Sequence, residues 1–278
     1  MAKRKPRSFV RIVAGWLAYT ILRYVQWIVK AGSWCKRSGS VETDGFDYSV
    51  FHHESLLFRN LKNTEQWMDD NKIHNLNMAI LKLDGLVLMP GKTLSFWKLI
   101  GGPFGFRGFK KGVVLVNGRV EIKTGGGLCQ LSNLLYWITL HSPLTVTERF
   151  RHSFDVFPDS GRTQPFGSGA TCLYNYRDLQ IRNNSIEPYL LRLHLDTTHL
   201  HGEWKTQKPV SFRYEVYEKK HWITQEGPFY IRNNILMRRC FRGERQISDE
   251  YVTENHALMM YSPLIDAPKS FSPGEEVV

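Results

Sequence analysis

A chain of 278 residues with 42% apolar and 13% aromatic residues can bury a substantial core and is too hydrophobic to be disordered. Its formal charge of +11 comes from one end: residues 1–40 hold nine Lys or Arg and no Asp or Glu, leaving 28 basic against 26 acidic residues from Val41 onward. A nearly neutral body argues against a nucleic-acid-binding face, and four widely spaced cysteines with no C-x-x-C pair argue for reduced thiols rather than a disulfide framework.

The amino-terminal arm, residues 1–40, opens on Lys3, Arg4, Lys5, Arg7 and Arg11 and continues as an apolar run to Val29. A spanning helix needs about 20 mostly apolar residues, and here Arg23 interrupts the run. Projected at helical pitch, Phe9, Val10, Val13, Trp16, Leu17, Ile21, Tyr24, Trp27 and Ile28 share one face. Arg4, Arg7, Arg11, Arg23 and Lys30 fall opposite. That is the pattern of a basic amphipathic helix lying on an anionic membrane through residues 1–30. Packing of the same face on the body and an uncleaved signal anchor are the alternatives. The expected location is cytoplasmic, peripheral on the inner face of the membrane.

Residues 32–47 read as a linker. Helices are expected near Ser55–Asp69 and from about Asn71 to Asp84, where Ile73, Leu76, Ala79, Ile80 and Leu83 form an apolar face and Gly85 suits a C′ position. Leu86–Met89 and Thr93–Phe96 read as strands around a Pro90-Gly91 turn. Gly101–Gly112 is a glycine- and aromatic-rich loop; its interleaved Phe104–Lys111 stretch could stack bases, though a plain surface loop is the simpler reading. Val113–Val116 and Arg119–Lys123 flank Asn117-Gly118 as a hairpin.

That hairpin delivers the chain to Gly125-Gly126-Gly127, after which Leu128, Leu131, Leu134, Leu135 and Ile138 recur at helical spacing until Pro143. Further strands are expected at Leu144–Arg149, Thr171–Tyr176, Asp178–Arg182 and Tyr189–Asp196. A second loop runs from Gly161 to Gly169. Val210–Tyr217, Phe229–Met237 and Tyr251–Tyr261 suggest a small appended sheet. The expected class is α+β: an antiparallel sheet packed with a few helices, with a glycine loop leading into a cysteine-bearing helix and an amphipathic helix at the amino terminus. The expected division is an arm at 1–40, an α+β domain at 48–204 and a β-rich extension at 205–278.

Cys129 falls in the first turn of the helix after the glycines. Unpaired N–H groups and the helix dipole there favour a thiolate, so a lowered pKa and nucleophilic chemistry are expected. Burial as a small core residue is the competing reading. A nucleophilic cysteine needs a base, and His152, just past the next strand, is placed to return over the helix start. His141 lies at the helix's far end, about 18 Å away at 1.5 Å per residue. Asp155 and Asp178 compete to orient His152. The N–H of Cys129 and the side chain of Gln130 are the expected oxyanion donors. Zinc held by Cys129, His152 and one of His194, His199 or His201 is a rival, but no tight-spacing pair supports it. No metal and no cofactor are expected.

Several ordered blocks resemble the VanW family: Asn71-Lys-Ile-His-Asn-Leu, Pro90-Gly-Lys-Thr-Leu-Ser-Phe-Trp97, Val116-Asn-Gly118, Gly125-Gly-Gly-Leu-Cys-Gln130, Glu148-Arg149 with His152, Asp178-Leu and Arg182-Asn-Asn. The resemblance spans roughly Asn71 to Trp204. Many members carry Gly-x-Asp-Ala after the histidine segment, where this chain has Gly161-Arg-Thr-Gln or Gly169-Ala170. Some larger, exported members resemble L,D-transpeptidases, which cross-link peptidoglycan through a cysteine acyl-enzyme. The resemblance therefore implies Cys129 as nucleophile and His152 as base. It implies a peptide or peptidoglycan precursor as substrate. Gly125, Gly126 and Gly127, whose lack of a Cβ lets backbone approach a ligand, are expected to bind it with Gln130 and Arg149. A non-catalytic envelope-ligand-binding accessory protein associated with glycopeptide resistance is the second expectation.

Overall fold

The computed structural model describes residues 9–37, 39, 41–58, 65–116, 118–156 and 164–262. The side chains of Phe9, Val10 and Ile12 lie outside that description, as do Lys3, Arg4, Lys5 and Arg7 of the arm, Asn117 of the hairpin turn, and Phe157, Pro158, Asp159 and Gly161 beyond His152.

In chain order the elements are α1 (Phe9–Val29), β1 (Tyr48–Leu56), α2 (Gln66–Leu83), β2 (Leu86–Leu88), β3 (Thr93–Ser95), α3 (Phe96–Ile100), β4 (Lys111–Val116), β5 (Arg119–Thr124), α4 (Leu128–Leu140), β6 (Thr145–Glu148), β7 (Phe154–Asp155), β8 (Gln180–Arg182), β9 (Tyr189–Leu195), β10 (His199–Thr206), β11 (Arg213–Glu226), β12 (Phe229–Arg242) and β13 (Arg245–Met259). The fold is α+β. An antiparallel sheet, ordered β1-β10-β9-β2, packs against α2 and α4. A smaller sheet, β3-β8-β6, and the β4-β5 hairpin border the same core.

The core is built around α4, in which ten residues from Leu128 to Leu140 are buried. A helix apolar nearly all round has to be enclosed, and here strands β1 and β10 close over it. The close approach requires Gly202 on β10, where an added Cβ would sit 2.9 Å from Leu134. Trp204, fully buried, donates its indole N–H to Thr139 Oγ1 at 3.2 Å.

Several expectations fail for tertiary reasons. Ser55 and Leu56 are not helical; they end β1, which pairs antiparallel with β10 from Tyr48↔Thr206 to Leu56↔His199. That pairing joins segments about 150 residues apart in the chain, and such partners override local propensity. Residues 59–64 of the helix expected at Ser55–Asp69 lie outside the described residues, and its last part, Gln66–Asp69, is continuous with the one expected from Asn71 as a single helix. It closes as expected at Gly85, with φ +73°. Thr171–Tyr176 is a turn rather than a strand, with Asn175 left-handed at φ +62°. The segment read as a linker is anchored where Trp34 bridges Thr93 and Cys35 N–H donates to Thr93 O at 2.9 Å.

The last three strands form a long meander, β11-β12-β13, longer than the sequence suggested. It is joined to the rest of the molecule by β7, which pairs parallel with β13 through Phe154↔Leu258 and Asp155↔Met259. The segment after His152 is thereby stitched into the meander.

Helix α1 docks along a side that joins parts of both faces its projection drew, Trp27 from the apolar face and Arg23 from the polar arc. Arg23 and Trp27 are buried against the body, while Leu17, Ile21, Leu22, Val25, Ile28 and Val29 are exposed. Of the polar arc, Arg23 turns inward because it finds Glu148, with Nη2 to Oε1 at 2.6 Å and Nη1 to Oε2 at 2.8 Å, while Arg11 and Lys30 are exposed. A bidentate guanidinium–carboxylate pair with further polar neighbours compensates its own desolvation.

Candidate functional site

The three glycines before α4 are each required by contact or conformation. Gly125 and Gly127 have φ +84° and +91°, and Gly126 lies so close to Gly112 that an added Cβ would fall on its backbone. A Cβ on Gly125 would meet Pro103 at 2.6 Å, and the stem of Lys72 occupies the space beside Gly127. Glycine here serves close packing rather than an open cradle for a ligand.

Helix α2 clamps this turn. Asn75, fully buried, donates to Gly126 O at 2.9 Å and Lys110 O at 3.0 Å and accepts from Lys110 N–H at 2.8 Å. Asn71 donates to Lys111 O at 2.9 Å, His74 Nε2 pairs with Gly108 O at 2.8 Å, and the Lys72 ammonium donates to Leu57 O. The Asn71–Leu76 block thus acts on the glycine turn through hydrogen bonds, a role that its sequence alone did not disclose.

Cys129 sits in the first turn of α4, directly after left-handed Gly127. The N–H groups of Leu128 and Gln130 reach Gly125 O and Gly127 O, whereas among the described residues the Cys129 N–H finds no backbone acceptor. One orphan donor therefore remains beside the sulfur. The residue keeps partial exposure, but its thiol is desolvated, and burial pushes its pKa up; a hydrogen bond from the Cys172 backbone only partly opposes this. The expected lowering is thus reversed, because loss of hydration outweighs the helix-start field. Cys172 beside it is raised further, by burial and then by Asp178. All four cysteines are free thiols.

His152 is half-buried, and burial, then neighbouring Arg151, lowers its pKa, so the imidazole is neutral at pH 7. It makes no hydrogen bond among the described residues and is not joined to Cys129 in this state. The two segments are nevertheless adjacent. Thr171 N–H donates to Phe150 O at 2.7 Å, and Ala170, next along the chain, accepts from Ser132 Oγ at 2.7 Å and donates to Asn133 Oδ1 at 2.8 Å. Ser132 and Asn133 lie within the first turns of α4, as Cys129 does.

The remaining expected site residues are engaged elsewhere. Gln130 Nε2 donates to Ser55 Oγ at 3.0 Å and Leu56 O at 2.9 Å, tying α4 to the end of β1 instead of facing the sulfur. Arg149 reaches Gly169 O, Gly167 O, Thr253 and Asn255 and stacks over Tyr136, joining its loop to β13. Neither aspartate orients His152. Asp155 accepts from Tyr261 at 2.8 Å and pairs with Arg232 at 3.4 Å. Asp178 is fully buried and accepts from Ser95 Oγ at 2.5 Å, Trp97 N–H at 3.0 Å and Leu179 N–H at 3.0 Å. Burial pushes its carboxyl up to about 6 despite those donors.

The histidines of the zinc alternative lie apart from Cys129, on β9 and β10, where His194 and His201 stack at 4.4 Å. No group of three His, Cys, Asp or Glu able to hold a metal ion occurs among the described residues.

Residues 71–205 match the family described as VanW like protein. The chain is 30% identical over 203 residues to the vancomycin B-type resistance protein VanW of Enterococcus faecalis, covering 73% of this chain and 74% of that protein. It is 27% identical over 122 residues to the uncharacterized protein YoaR of Bacillus subtilis, covering 44% of this chain and 39% of that one. No solved structure matches significantly. On the length and identity of the first match, the chain belongs to the VanW family.

Proposed function

We propose that this VanW family member transfers or hydrolyses acyl groups of a cell-envelope peptide through Cys129, with His152 as the base. The observation that carries the reading is a partly exposed cysteine at a helix start, after a left-handed glycine, with its own N–H unpaired. The relative's printed name, a vancomycin resistance protein, supports an envelope peptide of the peptidoglycan type as substrate.

The electrostatics define how the step runs. Burial holds the thiol neutral and the imidazole neutral, so the resting pair is not a thiolate–imidazolium ion pair. As the sulfur attacks the substrate carbonyl, its proton passes to His152 and the carbonyl oxygen gains charge opposite the Cys129 N–H. Collapse expels the leaving amine, which takes that proton, and leaves a thioester on Cys129. Water or a second amine then attacks the thioester and the thiol is regenerated. Geometry of this kind commonly tightens only when substrate is bound, which is when the segment from Arg149 to His152 would close on the helix start.

The second reading, a non-catalytic envelope-ligand-binding protein, draws on the commitment of Gln130, Arg149, Asp155 and Asp178 to internal contacts. One experiment separates the two. The protein is incubated with an N-acylated D-alanyl peptide thioester at neutral pH and its intact mass is read. A single acyl adduct on Cys129, absent in Cys129→Ala, supports the enzyme. No adduct, or an adduct retained in Cys129→Ala, overturns it.

A further inference from the structure

Helix α1 docks through a narrow side and leaves most of its apolar surface bare. Arg23 and Trp27 face the body, while Arg11 and the aliphatic residues face outward. Leu17, Ile21, Leu22, Val25, Ile28 and Val29 recur at spacings of one, three and four, so they form one stripe along three turns. Leu22 is 64%, Ile28 71% and Val29 77% exposed. A continuous aliphatic face of this kind is an interaction surface rather than scattered surface apolarity.

The inward face is fixed. Besides the Arg23–Glu148 pair, Thr20 Oγ1 accepts from Asn175 at 3.1 Å, Trp27 is buried, and Tyr24 and Tyr174 share a hydroxyl contact at 3.1 Å. The helix therefore cannot roll its stripe onto the core without breaking a part-buried ion pair. Nor is any helix among the described residues long and apolar enough to cross a membrane.

The apolar surface continues onto the body. Tyr174, which touches Tyr24, meets the Phe104 ring edge-on at 5.3 Å, and Phe104 stacks on Phe106 at 5.3 Å. Phe106 is 87% exposed at the tip of its loop. The same loop carries Pro103, which borders Gly125 of the turn before Cys129.

Charge selects the occupant. The sequence around the stripe is wholly cationic, with nine Lys or Arg and no acid in residues 1–40, and exposed Lys30, Lys36 and Arg37 follow the helix directly. A second copy of the chain would bring like charge against like. An anionic bilayer meets both features, since its headgroups attract the cations and its acyl boundary receives the stripe. Tyr19 and Tyr24 at the flanks suit the headgroup level.

We propose that the exposed face of α1, together with the Phe104–Phe106 loop tip, seats this protein on an anionic bilayer surface with α1 lying in the interface. The inference stands apart from the acyl-transfer reading. Its test is co-sedimentation of the full chain with vesicles of phosphatidylglycerol and phosphatidylcholine against phosphatidylcholine alone. The wild type is expected to pellet with the anionic vesicles at low salt and to be weakened at least tenfold by Ile21→Ser/Val25→Ser/Ile28→Ser, with thermal unfolding unchanged. Phe106→Ser is expected to weaken binding to a lesser degree. Equal pelleting of the triple variant overturns the proposal, as does a wild type that ignores vesicles and instead forms a dimer that the triple variant loses.

Discussion

Helices α1 and α4 are both strongly apolar, yet the molecule uses them in opposite ways. Nearly every side chain of α4 from Leu128 to Leu140 is enclosed by strands and helices of the same chain. Helix α1 gives the body only the side bearing Thr20, Arg23 and Trp27 and leaves its aliphatic stripe bare. Apolar composition alone does not tell the two situations apart. What separates them is whether an internal partner exists for each face, and α1 finds partners only for a narrow side, polar ones for Thr20 and Arg23 and the core for Trp27.

The sharpest way to break this contrast is to remove the polar anchor. Arg23→Ala leaves part-exposed Glu148 and fully buried Asp178 without their cation, which should cost about 3 kcal/mol, the low end for severing a buried pair. Chemical denaturation should show a loss of that order; a change below about 0.5 kcal/mol, the range of ordinary surface substitutions, would mean that α1 is not docked through this face.

Matched truncations of the two helices come next. Leu131→Ala, at a fully buried position of α4, should destabilise by about 2–5 kcal/mol. Leu22→Ala on the bare stripe of α1 should stay within about 0.5 kcal/mol in the absence of vesicles. Equal losses would show that the stripe is covered in solution.

A further effect, spread over pH, is a stability slope from Asp178. Its folded pKa is raised to about 6, so the unfolded chain ionises first, and stability falls as pH climbs from about 4 to about 6. Below that window both states are protonated, and above it both are ionised, so the contribution is constant there. Thermal unfolding across pH 4–7 should show this slope in the wild type and its loss in Asp178→Asn.

Much of the architecture was legible in the chain because it is local. The Gly85 stop, the hairpin before the glycines, the helix after them and the late strands all follow from turn chemistry and periodicity. Strand β1 was not legible, because Tyr48–Leu56 is specified by partners at His199–Thr206. At the site, sequence placed Cys129 correctly at a helix start but misjudged its ionisation, since the desolvation by surrounding core is a tertiary quantity. Gln130, Arg149 and Asp178 carry polar groups whose type fits a site, yet each is consumed by distant backbone. Asn75 carried no such signal, and only its burial against the glycine turn reveals its role.

The central claim is that Cys129 carries the acyl group and that a neutral His152 takes its proton. Acylation of Cys129 by the D-alanyl thioester, followed by intact mass from pH 5 to pH 9, tests it directly in the wild type and His152→Ala. The expected rate rises through an ionisation below the ordinary histidine value of about 6.5, levels off near neutrality, and falls about 100-fold or more in the variant. A rate that climbs steadily with thiol ionisation and is the same in both proteins would contradict the account.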